Sequence, residues 1–157
     1  TLTRDQLIAA TAHEREAVLA QSGITVLPGA VEAVGRFVGL PRALVTGSSR
    51  QEAEQILGAL GLLGTLSPMV CAEDVARSKP DPMGYLRACE LLGVAPEQCV
   101  VLEDSAAGVA AGRAAGCFVI GVAAGNFHGQ DQSAAHAQLP TLEAFTWDWV
   151  RANVPFA

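Results

Sequence analysis

The sequence has 157 residues, of which 50% are hydrophobic and 17% charged, so it is long enough for one globular domain and too apolar for a disordered chain. Its net charge of -6 argues against a nucleic-acid-binding surface. No uncharged apolar run approaches the roughly 18 residues that a membrane span needs, and we therefore expect a cytoplasmic protein.

The first half of the chain alternates helical with strand-like patterns. Capping boxes open two predicted helices, over residues 3–20 and 49–61. Between them, a turn at residues 28–29 precedes a short helix. The run RALVTGSS, residues 42–49, then predicts a buried strand that ends in small polar residues.

The second half continues the same alternation. Asp81 is a predicted N-cap, with Pro82 at the first position of the helix that follows. Helices that alternate with four continuous apolar strands are typical of an α/β fold with a parallel sheet buried on both faces. The predicted elements are, in order, a short strand within 68–75, a rigid loop at 78–82, a helix to 92, a strand at 99–102, a helix at 105–115, a strand at 118–122, a loop at 125–133 and a closing helix around 147–150.

Polar residues follow three of the predicted strands. Residues 46–49 offer hydroxyls and backbone amides at a helix start, Lys79 lies in the rigid loop, and Glu103 with Asp104 follows the run CVVL. Ligands of open α/β sheets bind at the carboxyl ends of the strands. Taken singly, the first two groups are explained as simply by a helix cap and a solvated lysine.

The adjacent carboxylates of Glu103 and Asp104 need a stronger explanation. Like charges at the mouth of a buried strand repel each other unless a cation joins them. Hard oxygen ligands suit Mg²⁺, which keeps several waters and bridges to phosphate oxygens. The alternative is an acid pair that interacts with a helix dipole. Because an anion site and a lysine accompany the acids, the sequence favours a Mg²⁺-dependent phosphoryl site.

Three segments carry a resemblance to a known family. LVTGSS, SKPDPMGYLRACELLGVAPEQCVVLEDSAAGVAAGRAAG and VIGV resemble the haloacid dehalogenase superfamily, in its β-phosphoglucomutase-like subgroup, over about residues 24–145. The resemblance implies a Rossmann-like fold of three layers with a parallel sheet in the middle. It also implies a Mg²⁺-dependent phosphatase or phosphomutase for a small phosphorylated metabolite such as a sugar phosphate, with neither nucleic acid nor membrane as a partner.

The resemblance assigns the phosphate-binding roles to four residues. Thr46 would hydrogen-bond the transferring phosphoryl group, with the backbone amides of Gly47 and Ser48 nearby. Lys79 would neutralise the charge of the phosphoryl group and of the nucleophile.

The resemblance also assigns a metal site. Asp104 would ligate Mg²⁺, with Glu103 as a co-ligand or as an outer-shell partner. Ser105 would cap the next helix, and Gly108 and Gly112 would let that helix lie close to the sheet.

The sequence departs from the family at the nucleophile. The family carries it in a D-x-D-x-T segment on the first strand, and none of the six Asp residues here lies in a D-x-D: Asp5, Asp74, Asp81, Asp104, Asp131 and Asp148. We expect residues 1–22 to be a remnant of the helical cap and residues 23–157 to be the core domain without its first strand and most of the cap. Without a residue that can form the aspartyl phosphate, we expect no hydrolysis by this chain.

The missing strand has consequences for the sheet. In the family it lies between the strands that here end at Thr46 and at Glu103. Those two strands could pair directly, another segment could fill the slot, or two copies could associate through the unpaired edges.

Two other functions remain as alternatives. One is a non-catalytic relative that binds phosphate or a partner protein. The other, a dinucleotide-binding domain, is disfavoured because no G-x-G-x-x-G follows a strand.

Overall fold

The computed structural model of the protein describes residues 25–156. The predicted helix over residues 3–20 and the cap remnant assigned to residues 1–22 lie outside this range. No helix within it is long and apolar enough to cross a membrane. The described elements are α1 (Ala30–Arg36), β1 (Leu44–Val45), α2 (Arg50–Ala59), β2 (Met69–Val70), α3 (Met83–Leu92), β3 (Val100–Glu103), α4 (Ala106–Ala114), β4 (Phe118–Val122), β5 (Ala137–Leu139) and α5 (Trp147–Asn153).

The pairs between these strands are all parallel. β1 pairs with β2, with Val45 opposite Val70, while β4 lies between β3 and β5. Each connection between paired strands is long enough to contain a helix or a folded loop, as parallel pairing requires. The predicted α/β class with a parallel sheet is therefore confirmed.

Three details of the predicted elements are wrong. The strand expected at 99–102 runs one residue later, so that Glu103 is its last residue and lies opposite Gly121. Helix α3 begins at Met83 with Pro82 as its N-cap residue, so Asp81 is not the N-cap, although it accepts a hydrogen bond from the Met83 amide at 3.0 Å. The sequence predicted four strands and missed β5, because three residues that include an exposed Gln138 are too short to produce an alternating pattern.

Both faces of the larger sheet are covered. Val119 and Ile120, successive residues of β4, are fully buried on opposite faces. The sheet is therefore the middle of three layers. On the Val119 side the buried cluster is Tyr85, Cys89, Val101, Val109, Ala111, Ala115 and Cys117. On the Ile120 side it is Ala33, Phe37, Leu139, Phe145, Val150 and Val154.

Helix α4 starts and packs as its sequence predicts. Ser105 caps it by accepting a hydrogen bond from the amide three residues later at 3.0 Å. Gly112 lies against the sheet, where a Cβ atom would come within 2.8 Å of the Val119 side chain. The helix therefore follows β3 with almost no loop and lies close to β4.

The described sheet is in two pieces. β1 and β3 do not pair, so direct pairing of these strands is not the arrangement that the chain adopts between residues 25 and 156. Leu102 of β3 is 37% exposed, although its register partner Ile120 is fully buried. The two strands therefore present edges to a slot that no described strand fills.

His136 fastens the segment before β5 to β4. Its Nδ1 atom accepts a hydrogen bond from the Val119 amide at 2.9 Å, and its ring stacks on Phe118 with 4.7 Å between centroids. Partial burial, and then the positive charge of Arg113 beside the ring, lower the pKa of His136. The folded protein therefore favours the neutral imidazole.

We expect the free energy of unfolding to fall as the pH drops below 6.5, the ordinary pKa of histidine. A lowered pKa in the folded state means that the unfolded chain binds more protons. The stabilisation is therefore present above this pH and is lost as the pH falls through the folded-state pKa. Urea unfolding between about pH 7.5 and 5.5 measures the effect.

His136→Asn is the matched variant, because asparagine retains an acceptor near the position of Nδ1 but does not titrate. Its unfolding free energy should depend less on pH over this interval. An unchanged pH dependence in His136→Asn would contradict the prediction.

Candidate functional site

A cavity of about 270 Å³ lies at the carboxyl ends of β1 and β2. Three of the four residues predicted to bind phosphate line it: Thr46, Gly47 and Lys79. This end of a parallel sheet is where such folds bind ligands. The fold therefore brings together residues that lie more than thirty positions apart in the chain.

Thr46 is fixed so that its hydroxyl can donate. Its amide extends the ladder by donating to the Val70 carbonyl at 2.9 Å, and its Oγ1 accepts a hydrogen bond from the Ser48 amide at 3.1 Å. The hydroxyl hydrogen is left for another acceptor. The Ser48 amide is engaged inside the turn, and Ser48 is absent from the cavity lining, so its predicted contact with phosphate stays a prediction.

Lys79 connects the two pieces of the sheet. Its Nζ atom donates to the Val45 carbonyl of β1 at 3.2 Å and forms an ion pair with the Glu103 carboxylate of β3. The ammonium also lies 5.1 Å from the ring centroid of Tyr85. Lys79 is therefore an oriented cation between the cavity and the carboxylates, and not a solvated surface lysine.

Glu103 is a buried carboxylate with a full set of donors. It is 7% exposed and accepts hydrogen bonds from Lys79, from the Tyr85 hydroxyl and, at 3.2 Å, from the Ser105 hydroxyl. Burial, followed by the negative charge of Glu103, raises the pKa of Tyr85 well above its ordinary value, so the phenol remains a donor. These contacts favour Glu103 as an outer-shell partner over a direct metal ligand.

Asp104 is the carboxylate that remains available. It is half-buried, and within residues 25–156 no cationic side chain forms an ion pair with it. Burial, and then the adjacent charge of Glu103, raise its pKa. Its side chain lies against Gly125, where a Cβ atom would come within 2.8 Å of Oδ2.

The donor set fits a hard cation that is completed by water and substrate. In the described part of the chain, no three His, Cys, Asp or Glu side chains are grouped so that they could hold a metal ion. Mg²⁺ needs only one or two carboxylates in phosphoryl-transfer sites, since waters and phosphate oxygens complete its shell. Asp104, with Glu103 behind it, meets that requirement.

Sequence reasoning missed two residues of this site. Tyr85 is the only tyrosine of the chain and lies at helical spacing among apolar residues, a pattern that indicates core packing. Gln132 lies in a loop without periodicity, yet its side chain donates to the Asp104 carbonyl at 2.7 Å. For Tyr85, the only nearby sequence signal was the KPDP motif, which lies close before it.

The family follows from comparison with known proteins. Residues 1–116 match the family model described as haloacid dehalogenase-like hydrolase. The chain belongs to this family. The resemblance inferred from its motifs is thus confirmed, as is membership of the β-phosphoglucomutase-like subgroup, because the chain is similar to several proteins described as β-phosphoglucomutases.

The relatives are longer than this chain. It is 46% identical to Hexitol phosphatase A of Escherichia coli (strain K12) over 64% of its own length and 47% of the relative's. It is 33% identical to Beta-phosphoglucomutase of Bacillus subtilis (strain 168) over 69% of its length and 50% of the relative's. The chain thus spans about half the length of these relatives.

A solved structure supports the fold. The structure of CbbY from Rhodobacter sphaeroides in complex with phosphate is 26% identical, with a TM-score of 0.73 over 82% of this chain and 60% of CbbY.

We expect Lys79→Met to lower the free energy of unfolding by about 3 kcal/mol, because it leaves the buried Glu103 carboxylate without its cation. Arg87→Met is the matched control, since Arg87 forms an exposed ion pair with Glu90 and its loss should cost less than about 1 kcal/mol. Adding Glu103→Gln to Lys79→Met should restore part of the loss. Chemical denaturation at neutral pH measures all four proteins, and equal costs for the Lys79 and Arg87 variants would contradict the prediction.

We expect Gly108→Ala to destabilise the protein by about 1–3 kcal/mol, because the added Cβ atom would lie 2.0 Å from the Glu103 carboxylate. Gly58→Ala in α2 is the control. Its Cβ atom meets nothing within 4 Å, so it should stabilise the helix by up to about 1 kcal/mol. Thermal unfolding of both variants tests the difference in sign, and a stabilised Gly108→Ala protein would be the contrary result.

Proposed function

We propose that this chain is the phosphate- and metal-binding core of a Mg²⁺-dependent phosphatase that acts on a small phosphorylated metabolite, a sugar phosphate or its reduced form. The observation that carries the proposal is the position of Lys79 between the cavity at Thr46 and the carboxylates at residues 103–104. Similarity to Hexitol phosphatase A and to Fructose-1-phosphate phosphatase YqaB, both of Escherichia coli (strain K12), supports the substrate class.

In this proposal each residue of the candidate site makes a different contribution to binding a phosphoryl group. The Thr46 hydroxyl donates to one of its oxygens, and Lys79 balances its negative charge from the β3 side of the cavity. Asp104 holds Mg²⁺, while Glu103 orients Lys79 and raises the negative charge near the metal. Bound Mg²⁺ supplies further charge neutralisation to the phosphoryl oxygens.

The described residues place no free carboxylate nucleophile at the cavity. Within residues 25–156, Asp81 is the one acid that lines the cavity, and both of its oxygens are engaged, one with Arg77 and the other with the Met83 amide. The Arg77 hydrogen bond, followed by that of the amide, lowers the pKa of Asp81, which makes it a weaker nucleophile. We therefore propose that this chain binds phosphate but does not hydrolyse phosphate esters, and that hydrolysis needs an extended segment carrying D-x-D in the slot between β1 and β3.

The expected outcome is a gain of activity when that segment is supplied. Purified chain should release phosphate from hexitol phosphates or fructose 1-phosphate no faster than buffer with Mg²⁺. A chimera that places the first strand and cap of Hexitol phosphatase A before residue 25 should show Mg²⁺-dependent turnover. That turnover should fall to background in chimeras carrying Asp104→Asn or an Asn at the supplied nucleophile.

Two results would contradict the proposal in different ways. Turnover by the chain itself that Asp104→Asn abolishes would overturn its inactivity. A folded chimera that binds inorganic phosphate but turns nothing over would favour the alternative function, non-catalytic binding of phosphate or of a partner.

The remaining expectations stay predictions. A cytoplasmic location and the absence of nucleic-acid and membrane partners are inferred from the acidic composition and from the lack of a long uncharged apolar run in the sequence. Association of two copies through the edges of β1 and β3 is a further proposal, supported by the fact that no strand of residues 25–156 pairs with these edges.

A further inference from the structure

We propose that Gln132 and Gln130, in the loop 126–132 that follows β4, are positioning residues that orient Asp104. The inference deepens the proposed function and rests on it, since the direction of the Asp104 carboxylate matters only if that carboxylate holds the metal. A short 3-10 turn, Ala123–Gly125, separates the loop from β4, and the loop folds back over the turn that joins β3 to α4.

Gln132 is anchored beneath this turn. It is 6% exposed and, with Glu103, is one of two buried polar side chains in residues 25–156. Its Nε2 atom donates to the Asp104 carbonyl at 2.7 Å. The ladder between β3 and β4 ends at Glu103 and Gly121, so the Gln132 amide satisfies the first carbonyl beyond the ladder.

Gln130 holds the other side of the same turn. Its Oε1 atom accepts a hydrogen bond from the Ala106 amide at 3.0 Å, one of the helix amides that have no partner within α4. Asn126 fixes Gln130 in place through two hydrogen bonds to its backbone, of 2.7 and 2.8 Å. The loop therefore holds the backbone by hydrogen bonds at the Asp104 carbonyl and at the Ala106 amide.

The Asp104 side chain depends on this fastening more than Glu103 does. Lys79 and Tyr85 orient Glu103 directly, whereas no cation of residues 25–156 forms an ion pair with Asp104. Its carboxylate direction follows from its backbone and from Gly125, which lies against it immediately before the loop. Loosening the Asp104 carbonyl would therefore let the carboxylate turn away from the metal position.

The test is the affinity of the purified chain for Mg²⁺ in the presence of inorganic phosphate, whose oxygens complete the shell of the ion, measured by calorimetry. Gln132→Met keeps the size of the side chain but removes its hydrogen bonds, and we expect about 10- to 100-fold weaker binding, as for other residues that orient metal ligands. Gln130→Met, at an exposed position, should weaken binding in the same direction but less. Gln51→Met, on the exposed face of α2, should leave affinity unchanged, and Asp104→Asn should abolish binding.

Circular dichroism and melting temperatures separate orientation from stability. A folded Gln132→Met variant that binds Mg²⁺ within twofold of the parent would overturn the positioning role. If Gln132→Met does not fold, the Gln130→Met variant decides in the same way. A parent chain that binds no Mg²⁺, or binds it equally well with Asp104→Asn, would instead overturn the metal assignment of the proposed function, and this inference with it.

Discussion

The ion pair between Lys79 and Glu103 is the interaction on which the rest of the site depends. A carboxylate that is 7% exposed is tolerated only when a cation and further donors compensate its lost hydration. Lys79 supplies the cation from a loop 24 residues earlier, and the same ammonium donates a hydrogen bond to the last carbonyl of β1. One charge pair therefore joins two strands that share no backbone hydrogen bond.

The small residues of α4 follow from the same buried charge. Gly108 lies so close to the Glu103 carboxylate that any side chain there would overlap it, and a Cβ atom at Gly112 would come within 2.8 Å of Val119 in β4. Helix α4 is rich in glycine and alanine because its inner face must approach both a carboxylate and a sheet. Ser105 caps the helix and also donates to Glu103, so the same hydroxyl starts α4 and orients a carboxylate of the candidate site.

The site lies across the open slot of the sheet. The residues that suit a phosphoryl group, Thr46 and Gly47, are on the β1 side, while Glu103 and Asp104 are on the β3 side. Lys79 crosses between them. The exposed Leu102 shows that the face of β3 next to the slot is uncovered in the described residues. The candidate binding groups thus lie on both sides of the slot between β1 and β3.

The sequence by itself determined the α/β class, the order of most elements and the main charged residues of the site. Periodicity, capping boxes and strand-end motifs act within about ten residues, so they can be read locally. Only the tertiary structure decided that Glu103 is the last strand residue and is bound by Tyr85, that Gln132 reaches Asp104, that β5 joins the sheet, and that β1 and β3 stay apart. Those contacts join residues 18 or 28 positions apart, and no local pattern encodes them because they depend on which backbone groups the folded sheet leaves unpaired.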